Sequence, residues 1–188
     1  LMNFFNFKRL ILLGALVFQF ETVFAQGYKE EIKEKVLSFD TLDTNGFWIP
    51  RKTAFLGRFL LKGGQYPDLT LRLYKNGKGR LPQKDVHEQA VVEGQVEVLS
   101  SDLIHYSFKD FSDYLERFNT YTDLIRDEIK EKKPGRSKWQ ILSYFFIKPI
   151  KEFFIIYIRN KGFQDGFPGF VFAFFSSLRF PVGFVKYL

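Results

Sequence analysis

Phenylalanine is concentrated in the last third of the chain, and this concentration limits the folds that the chain can adopt. Twelve of the 25 Phe residues fall between Phe145 and Phe184. So many rings must be buried in a core, against a partner or at a membrane interface, because large exposed apolar patches are rare on soluble monomers. With 188 residues, of which 46% are hydrophobic and 26% charged, the chain is globular in composition and long enough for a core.

Positive charge is concentrated in the same region. From Lys130 to Leu188 the sequence has eleven Lys or Arg residues and three acidic ones, a net charge of +8, against +7 for the whole chain. The basic residues alternate with apolar runs such as Ile141–Ile147 and Phe153–Ile158. This combination favours an anionic membrane surface as a partner. Nucleic-acid-binding surfaces are more often polar basic stripes, so we expect no nucleic-acid partner.

The first 26 residues allow several interpretations. Lys8 and Arg9, the apolar run Leu10–Phe20 and the ending Val23–Ala25 follow the order of a secretory signal peptide. The apolar run is short for a transmembrane helix. Alternatively, the segment is a buried element of the fold or the remnant of a truncated or frameshifted gene start, since Leu1 precedes the first Met.

The hydrophobic pattern of the next eighty residues is that of a small helix followed by strands. Tyr28–Phe39 has the apolar spacing of a short helix, and Leu69–Tyr74 alternates as a half-buried strand does. Ala54–Leu61 is ambiguous between helix and strand. Further strands are predicted over Gly46–Lys52, ending near Pro50, and over Val86–Val92 and Gly94–Leu99.

From residue 107 the pattern becomes helical as far as Lys132, with Ser107 or Asp110 as the N-cap. For the remaining sequence we predict a helix break at Pro134-Gly135, an N-cap at Ser137 and a kink at Pro149. A loop over Gly162–Gly169 and a last helix from about Pro168 follow. The sequence therefore predicts an α/β fold in three parts. These are an apolar segment (residues 1–26), a mixed sheet (27–107) and a basic, Phe-rich helical extension that meets the membrane (108–188).

Residues that carry chemistry are few. The chain has no Cys, which excludes disulfides and Cys-ligated zinc, and no Asp-X-Asp pair, HExxH motif or Gly-rich phosphate loop. Glu88, next to His87 in a strand-like segment, could act as a general base, although its spacing alone favours an exposed residue of an edge strand. The other histidine, His105, is by itself more typical of a core or capping residue than of a metal ligand.

Six short motifs follow one another along the chain. They are Ile-Pro-Arg-Lys (Ile49–Lys52), Gly-Gly-x-Tyr-Pro-Asp (Gly63–Asp68), Arg-Leu-Tyr (Arg72–Tyr74), Val-His-Glu (Val86–Glu88), Leu-x-His (Leu103–His105) and Phe-Gln-Asp-Gly-Phe-Pro-Gly-Phe (Phe163–Phe170). Together they resemble the family 2 glycosyltransferases, specifically the group related to bacterial lipopolysaccharide-core β-glucosyltransferases. The resemblance covers about Tyr28 to Leu188.

The resemblance implies the acceptor-side half of a GT-A nucleotide-diphospho-sugar transferase fold and an inverting single displacement. The implied donor is a nucleotide sugar, expected to be a UDP-sugar, and the implied acceptor is a lipid-linked or lipopolysaccharide-core saccharide. Glu88 would be the catalytic base, and His105 would be a ligand of Mg²⁺ or Mn²⁺. The implied substrate-binding residues are Arg51, Lys52, Tyr66, Asp68, Arg72 and His87.

The resemblance is incomplete at its start. Members of this family have a first β-strand, a nucleotide-binding Asp and an Asp-X-Asp motif before the point that corresponds to Tyr28, and residues 1–26 do not resemble them. The chain is therefore expected to be a fragment with little transferase activity of its own. Because nucleotide sugars are cytoplasmic in bacteria, the resemblance implies a cytoplasmic protein peripheral to the inner membrane, in cell-envelope synthesis. The alternative is an exported membrane-surface binding protein without catalytic activity.

Overall fold

The computed structural model of the chain describes residues 26–81, 89–132 and 137–188. It is a mixed α/β structure with helices at its C-terminal end, which confirms the predicted fold class at this level. The strands are β1 (Gly46–Phe55), β2 (Arg58–Leu60), β3 (Asp68–Tyr74), β4 (Gly79–Arg80), β5 (Val91–Val92), β6 (Val96–Val98) and β7 (Leu103–Tyr106). The α-helices are α1 (Gln26–Ser38), α2 (Phe111–Lys132), α3 (Lys138–Leu142), α4 (Lys148–Phe153) and α5 (Gly166–Tyr187).

Strand β1 is the centre of a five-stranded sheet and is paired on both edges. Antiparallel β3 and β2 follow one another along one edge, while parallel β6 and β7 follow one another along the other. Strands β4 and β5 form a separate two-stranded ribbon. The prediction that the first strand ends near Pro50 is wrong, because β1 continues to Phe55.

The pairing of β1 explains how a proline fits into a central strand. The carbonyl of Trp48 accepts a hydrogen bond from the amide of Leu99, so the odd-even alternation of a strand points the ring nitrogen of Pro50 toward the same edge. On that edge the pairing with β6 ends at Trp48 and the pairing with β7 begins at Arg51. The missing N–H of Pro50 therefore falls in the gap between two partner strands, where no ladder bond is lost.

The ambiguous segment Ala54–Leu61 is a β-hairpin. The last residues of β1 pair with β2, and the turn between them has Leu56 at φ 47° and Gly57 at φ 78°. Leu at a positive φ is unusual, because the Cβ atom crowds the backbone there. The turn holds Leu56 in a backbone conformation that leucine disfavours, so the apolar pattern of Ala54–Leu61 does not reveal the hairpin.

One face of the sheet carries two apolar cores, one at each end of β1. The first core contains Phe47, Ile49 and Leu73, with Ile32 and Val36 of α1 packed against it. The second core joins the far end of the sheet to the helices and contains Phe55, Leu60, Tyr114 and Val171. A third core lies among the helices themselves and contains Ile129, Tyr144 and Phe184. The strands and the C-terminal helices therefore share apolar packing rather than forming separate layers.

Residues 138–159 form one continuous helix in which α-helical and π-helical winding alternate. The α-helical pieces α3 and α4 are followed by π-helical turns at Ser143–Ile147 and Phe154–Arg159. We refer to the whole as the composite helix. Ser137 caps it as predicted, since its side chain accepts a hydrogen bond from the amide of Gln140. Asp110 rather than Ser107 caps α2, because its carboxylate accepts from the amide of Asp113.

The predicted loop over Gly162–Gly169 is wrong. Gly162–Asp165 is a short 3₁₀ helix, and α5 already begins at Gly166. The reason is a pair of hydrogen bonds from the amides of Leu61 and Lys62 to the carboxylate of Asp165, at 3.2 and 2.8 Å. They hold this segment against the sheet in a compact form.

Several predictions of the sequence fall outside the described residues. They are the interpretations of residues 1–25, the strand over Val86–Glu88 and the break at Pro134-Gly135. Of the strand predicted over Val86–Val92, the structure describes only its last part, where Val91–Val92 is β5.

The junction between the composite helix and α5 gives a test of the fold. A Cβ atom at Gly169 would lie 2.1 Å from the carbonyl oxygen of Gly162, a backbone atom that cannot move alone. We expect Gly169→Ala to lower the free energy of unfolding by about 3 kcal/mol, as a steric clash in a packed core does. Gly77→Ala is the control, since Gly77 has φ 78° and no atom within 4 Å of its Cβ position. It should cost roughly 1 kcal/mol, through backbone strain only. Equal urea-unfolding midpoints for the two variants would contradict this packing.

Candidate functional site

The strand register brings three of the sequence motifs side by side. Arg51 in β1 lies opposite Asp68 at the start of β3 on one edge and opposite Leu103 of β7 on the other. Two residues further along β1, Thr53 lies opposite His105. Residues separated by as many as 52 positions in the chain, such as Arg51 and Leu103, are therefore neighbours in the middle of the sheet.

Arg51 and Asp68 form an ion pair across β1 and β3. Arg51 donates from Nε to Asp68 Oδ2 at 2.8 Å, and its Nη2 contacts the same oxygen. The two side chains are about one third exposed. Because solvent screens a pair at this exposure, the bond orients the guanidinium more than it stabilises the fold.

Lys52, Tyr66 and Asp102 form a second polar group. The hydroxyl of Tyr66 donates to Asp102 Oδ1 at 2.8 Å, and the ammonium of Lys52 forms an ion pair with the other carboxylate oxygen. The same ammonium lies 5.3 Å from the centroid of the Tyr66 ring. The hydrogen bond to Asp102 raises the pKa of both Lys52 and Tyr66, so at neutral pH the group presents a cation and a protonated phenol.

These two groups point to opposite faces of the sheet. Arg51 and Lys52 are consecutive in a strand, where side chains alternate between the faces. His105 shares the face of Arg51, since its pairing partner Thr53 is two residues from Arg51. The structure therefore brings the predicted residues into one stretch of sheet but divides them between its two sides.

His105 is partly enclosed. Its Nδ1 lies 2.7 Å from the hydroxyl of Ser107. Burial first, and then the positive charge of Arg51, lowers the pKa of His105 to about 4, against an opposing contribution from Asp68. The imidazole is therefore neutral at physiological pH, the form in which histidine binds a metal.

The described residues do not form a metal site by themselves. Among residues 26–81, 89–132 and 137–188, no three His, Cys, Asp or Glu side chains are grouped closely enough to hold a metal ion. The Asp68 carboxylate near His105 is already bonded to Arg51. The metal stays a prediction of the resemblance.

Of the three remaining predicted site residues the structure describes only Arg72, which lies apart from these groups. Arg72 is the extra residue of a bulge in β3, since Phe47 pairs with Leu73 and Trp48 with Leu71. It is exposed at the opposite end of β3 from Asp68. His87 and Glu88 lie outside the described residues.

Asp102 and Asp165 are the polar residues that sequence reasoning did not single out. Asp102 follows two serines in a loop, a context with no signal for its role as the shared partner of Lys52 and Tyr66. Asp165 lies inside the Phe163–Phe170 motif and is buried, but its role is to accept hydrogen bonds from the amides of Leu61 and Lys62, directly after β2. The signal in the sequence is an Asp among the Phe and Gly residues of an apolar motif, because a carboxylate in such a context needs hydrogen-bond donors if it is buried.

A shallow open groove lies beside the hairpin end of the sheet. Its volume is about 450 Å³, and its lining includes Ala54, Arg58, Phe59, Tyr106 and Lys109. Ala54 lies on the same face as Lys52, two residues along β1, and pairs with Tyr106. Arg58 and Lys109 supply cations and Asp110 supplies a carboxylate beside the exposed rings, so the lining is aromatic and of mixed charge.

No protein-family model matches the chain, and no solved structure matches it.

The Lys52–Tyr66–Asp102 group gives a direct test by titration. We expect Asp102→Asn to lower the pKa of both Tyr66 and Lys52, because it removes the acceptor that favours their protonated forms. Nuclear magnetic resonance of chains labelled at tyrosine Cζ and lysine Cε measures both values. Asp43→Asn, at an exposed carboxylate, is the matched control and should leave them unchanged. Unchanged values in Asp102→Asn would show that the group is not formed in solution.

His105 predicts a pH dependence of stability. Its folded-state pKa of about 4 lies below the ordinary 6.5, so the unfolded chain takes up this proton first as the pH falls. The free energy of unfolding should therefore decrease from about pH 6.5 down to about pH 4 through this residue. His105→Gln removes that contribution. The difference in free energy of unfolding between the parent and the variant should therefore change between about pH 6.5 and about pH 4. Urea unfolding at a series of pH values measures it, and parallel curves would contradict the enclosure of His105.

Proposed function

We propose that this chain is the acceptor-side part of an inverting glycosyltransferase that moves a sugar from a nucleotide sugar to a saccharide or glycolipid acceptor. The observation that carries the proposal is the register of β1 with β3 and β7. It places the Ile49–Lys52, Gly63–Asp68 and Leu103–His105 motifs next to one another. Motifs that are linked only by order in the sequence are thus linked in space, as parts of one site would be.

In this proposal the cations of β1 bind anionic groups. Lys52 is fixed by Asp102 and Arg51 by Asp68, so both charges are held in place before any substrate arrives. Preorganised cations offset the negative charge that develops on a departing diphosphate. Because they lie on two faces, we propose that they serve two ligands: one cation the donor diphosphate, and the other a phosphate of the acceptor.

The catalytic base of the proposal is Glu88. Its carboxylate would take the proton of the acceptor hydroxyl while that oxygen attacks the anomeric carbon, and the bond to the nucleoside diphosphate breaks on the opposite side. General-base catalysis of this kind contributes about 10²- to 10⁴-fold to a rate. The support for Glu88 is the Val-His-Glu motif of the resemblance.

The test needs a donor-binding half. We suggest fusing residues 27–188 to the nucleotide-binding half of a family 2 glycosyltransferase and measuring sugar transfer to a bacterial glycolipid extract, together with release of nucleoside diphosphate. Glu88→Gln should lower turnover at least 100-fold, whereas Glu93→Gln, at an exposed carboxylate, should not. Undiminished turnover of Glu88→Gln would refute the base, and a fusion that binds nucleotide sugar but transfers nothing would refute the proposal.

The start of the mature protein separates this proposal from an exported binding protein. Cytoplasmic nucleotide sugars require the active chain to stay in the cytoplasm. Mass spectrometry of the protein purified from its own cells would identify its first residue. Cleavage just before Gln26 would favour export and would contradict a cytoplasmic transferase.

A further inference from the structure

The outer face of the composite helix carries a straight apolar stripe. It consists of residues four positions apart, each 43–56% exposed: Leu142, Phe146, Ile150, Phe154 and Ile158. Trp139, three positions before Leu142 on the same side, is 64% exposed. The opposite side of the helix faces the protein, with Tyr144, Pro149 and Ile156 buried there. The stripe therefore leaves large apolar side chains exposed, although the other face of the same helix is buried against the protein.

The π-helical turns keep this stripe straight. In an α-helix of 3.6 residues per turn, positions four apart drift by about 40° per step and would wind around the helix. A π-helical turn is wider, so the turns at Ser143–Ile147 and Phe154–Arg159 offset the drift of the α-helical pieces between them. The amide of Asn160 bonds the carbonyl of Ile155 at 2.9 Å, as such a turn requires. The stripe is thus a product of the helix geometry as well as of the sequence.

Basic residues flank the stripe. Lys138 begins the helix, Lys151 and Arg159 directly follow stripe residues, and all three are exposed. Residues 137–188 contain two acidic side chains, Glu152 and Asp165, and both have hydrogen-bond partners. Glu152 bonds Arg179 at 2.6 Å, and Asp165 accepts from the amides of Leu61 and Lys62. The outer face therefore presents apolar rings and cations together, with no carboxylate of residues 137–188 left to balance them.

We propose that the outer face of the composite helix binds an anionic lipid surface, with the helix lying in the plane of the membrane. The apolar stripe would enter the boundary between headgroups and acyl chains, and the flanking cations would reach lipid phosphates. A second copy of the chain is a poorer occupant, because a symmetric contact would bring the same cations face to face. Nucleic acid is poorer still, because it offers no apolar surface for the stripe.

Helix α5 is the other candidate for membrane contact. By length and composition alone, Gly162–Tyr187 could cross a membrane. Its most apolar window is 44% buried within the protein, and its specific contacts tie it to the neighbouring helices. Gly183 packs closely against Ile125 of α2, and Arg179 bonds Glu152 of the composite helix. A spanning α5 would have to give up these contacts, whereas the in-plane helix keeps them.

The first test uses the full chain and flotation with vesicles. We expect binding to vesicles of phosphatidylethanolamine with phosphatidylglycerol, and weak binding to phosphatidylcholine alone. Ile150→Asp with Phe154→Asp should lower the partition coefficient at least tenfold, because two exposed apolar side chains of the stripe, which the proposal places in the lipid, become charged. Leu37→Asp, at a 70% exposed leucine on α1, is the matched control and should bind as the parent does. Circular dichroism and thermal unfolding verify that each variant is folded.

The flanking charges are tested in the same assay. Lys151→Gln with Arg159→Gln should lower the partition coefficient roughly 25-fold on anionic vesicles at low salt, at about fivefold per charge. The control is Lys33→Gln with Lys78→Gln, which removes two exposed charges far from the face. Equal losses for the two pairs would mean that only net charge matters, and would overturn the assignment to this face.

Trp139 reports the depth of binding. In a Trp48→Phe chain, Trp139 is the remaining tryptophan. Its emission should shift to the blue on anionic vesicles and should be quenched by lipids brominated near the headgroup more than by lipids brominated near the chain end. Flotation without a blue shift of the Trp139 emission would place the membrane contact elsewhere on the protein. Stronger quenching by lipids brominated near the chain end would favour a spanning segment. A parent dimer that Ile150→Asp converts to a monomer, with no vesicle binding by either, would assign the face to a second copy. Each of these results would refute the proposal.

Discussion

The hydrogen bonding of β1 is the constraint on which the rest of the structure depends. Each backbone polar group of a buried strand needs a partner, and β1 finds them in four different strands, two on each edge. Pro50 has no N–H group and so interrupts these backbone hydrogen bonds at one point, on the edge where β6 ends and β7 begins. Leu99–Asp102 bridges that gap instead of continuing as a strand.

Leu99–Asp102, the segment that bridges the gap at Pro50, positions two other parts of the molecule: helix α1 and the Lys52–Tyr66–Asp102 group. The carboxylate of Glu31 on α1 accepts hydrogen bonds from the amides of Ser100 and Ser101, at 2.8 and 2.7 Å. These bonds satisfy amides that have left the ladder, and they hold α1 against the sheet. The next residue, Asp102, is then beside Lys52 and Tyr66. A single missing N–H group thus leads to the docking of a helix and to the polar group of the candidate site.

How much of this could be read from the sequence depends on the range of the interactions. The short helix at Tyr28–Phe39 and the strand at Leu69–Tyr74 follow from local periodicity, and both are observed near their predicted bounds. Pro50 misled the prediction because its effect depends on where two other strands end, which local pattern cannot show. The segment around Asp165 misled it for a similar reason, since its shape is set by the amides of Leu61 and Lys62, which directly follow β2 and are about a hundred positions away in the chain.

The candidate site shows the same division. The resemblance implies that Arg51, Asp68 and His105 serve one site, and the register of β1 makes their strands neighbours. Asp102 was missed because nothing around it in the sequence marks it, and its role exists only once the bridge over Pro50 is formed. The placement of Arg51 and Lys52 on opposite faces is predictable from strand alternation, but only after the segment is known to be a strand beyond Pro50.

The end of the composite helix connects the proposed membrane face to the proposed acceptor site. The carbonyl of Asn160, one residue beyond the last π-helical turn, accepts a hydrogen bond from the amide of Gly63 at 2.9 Å. Gly63 has φ 65°, and a Cβ atom there would meet Ile156 of the helix at 3.3 Å, so glycine suits both the backbone shape and the close contact. The chain from Gly63 leads within three residues to Tyr66. A helix lying on the lipid surface would therefore hold this loop close to the membrane, where a saccharide carried on a lipid presents its headgroup. The same bond would transmit any displacement of the helix to the loop, so that seating on the membrane and the shape of the acceptor site would be coupled.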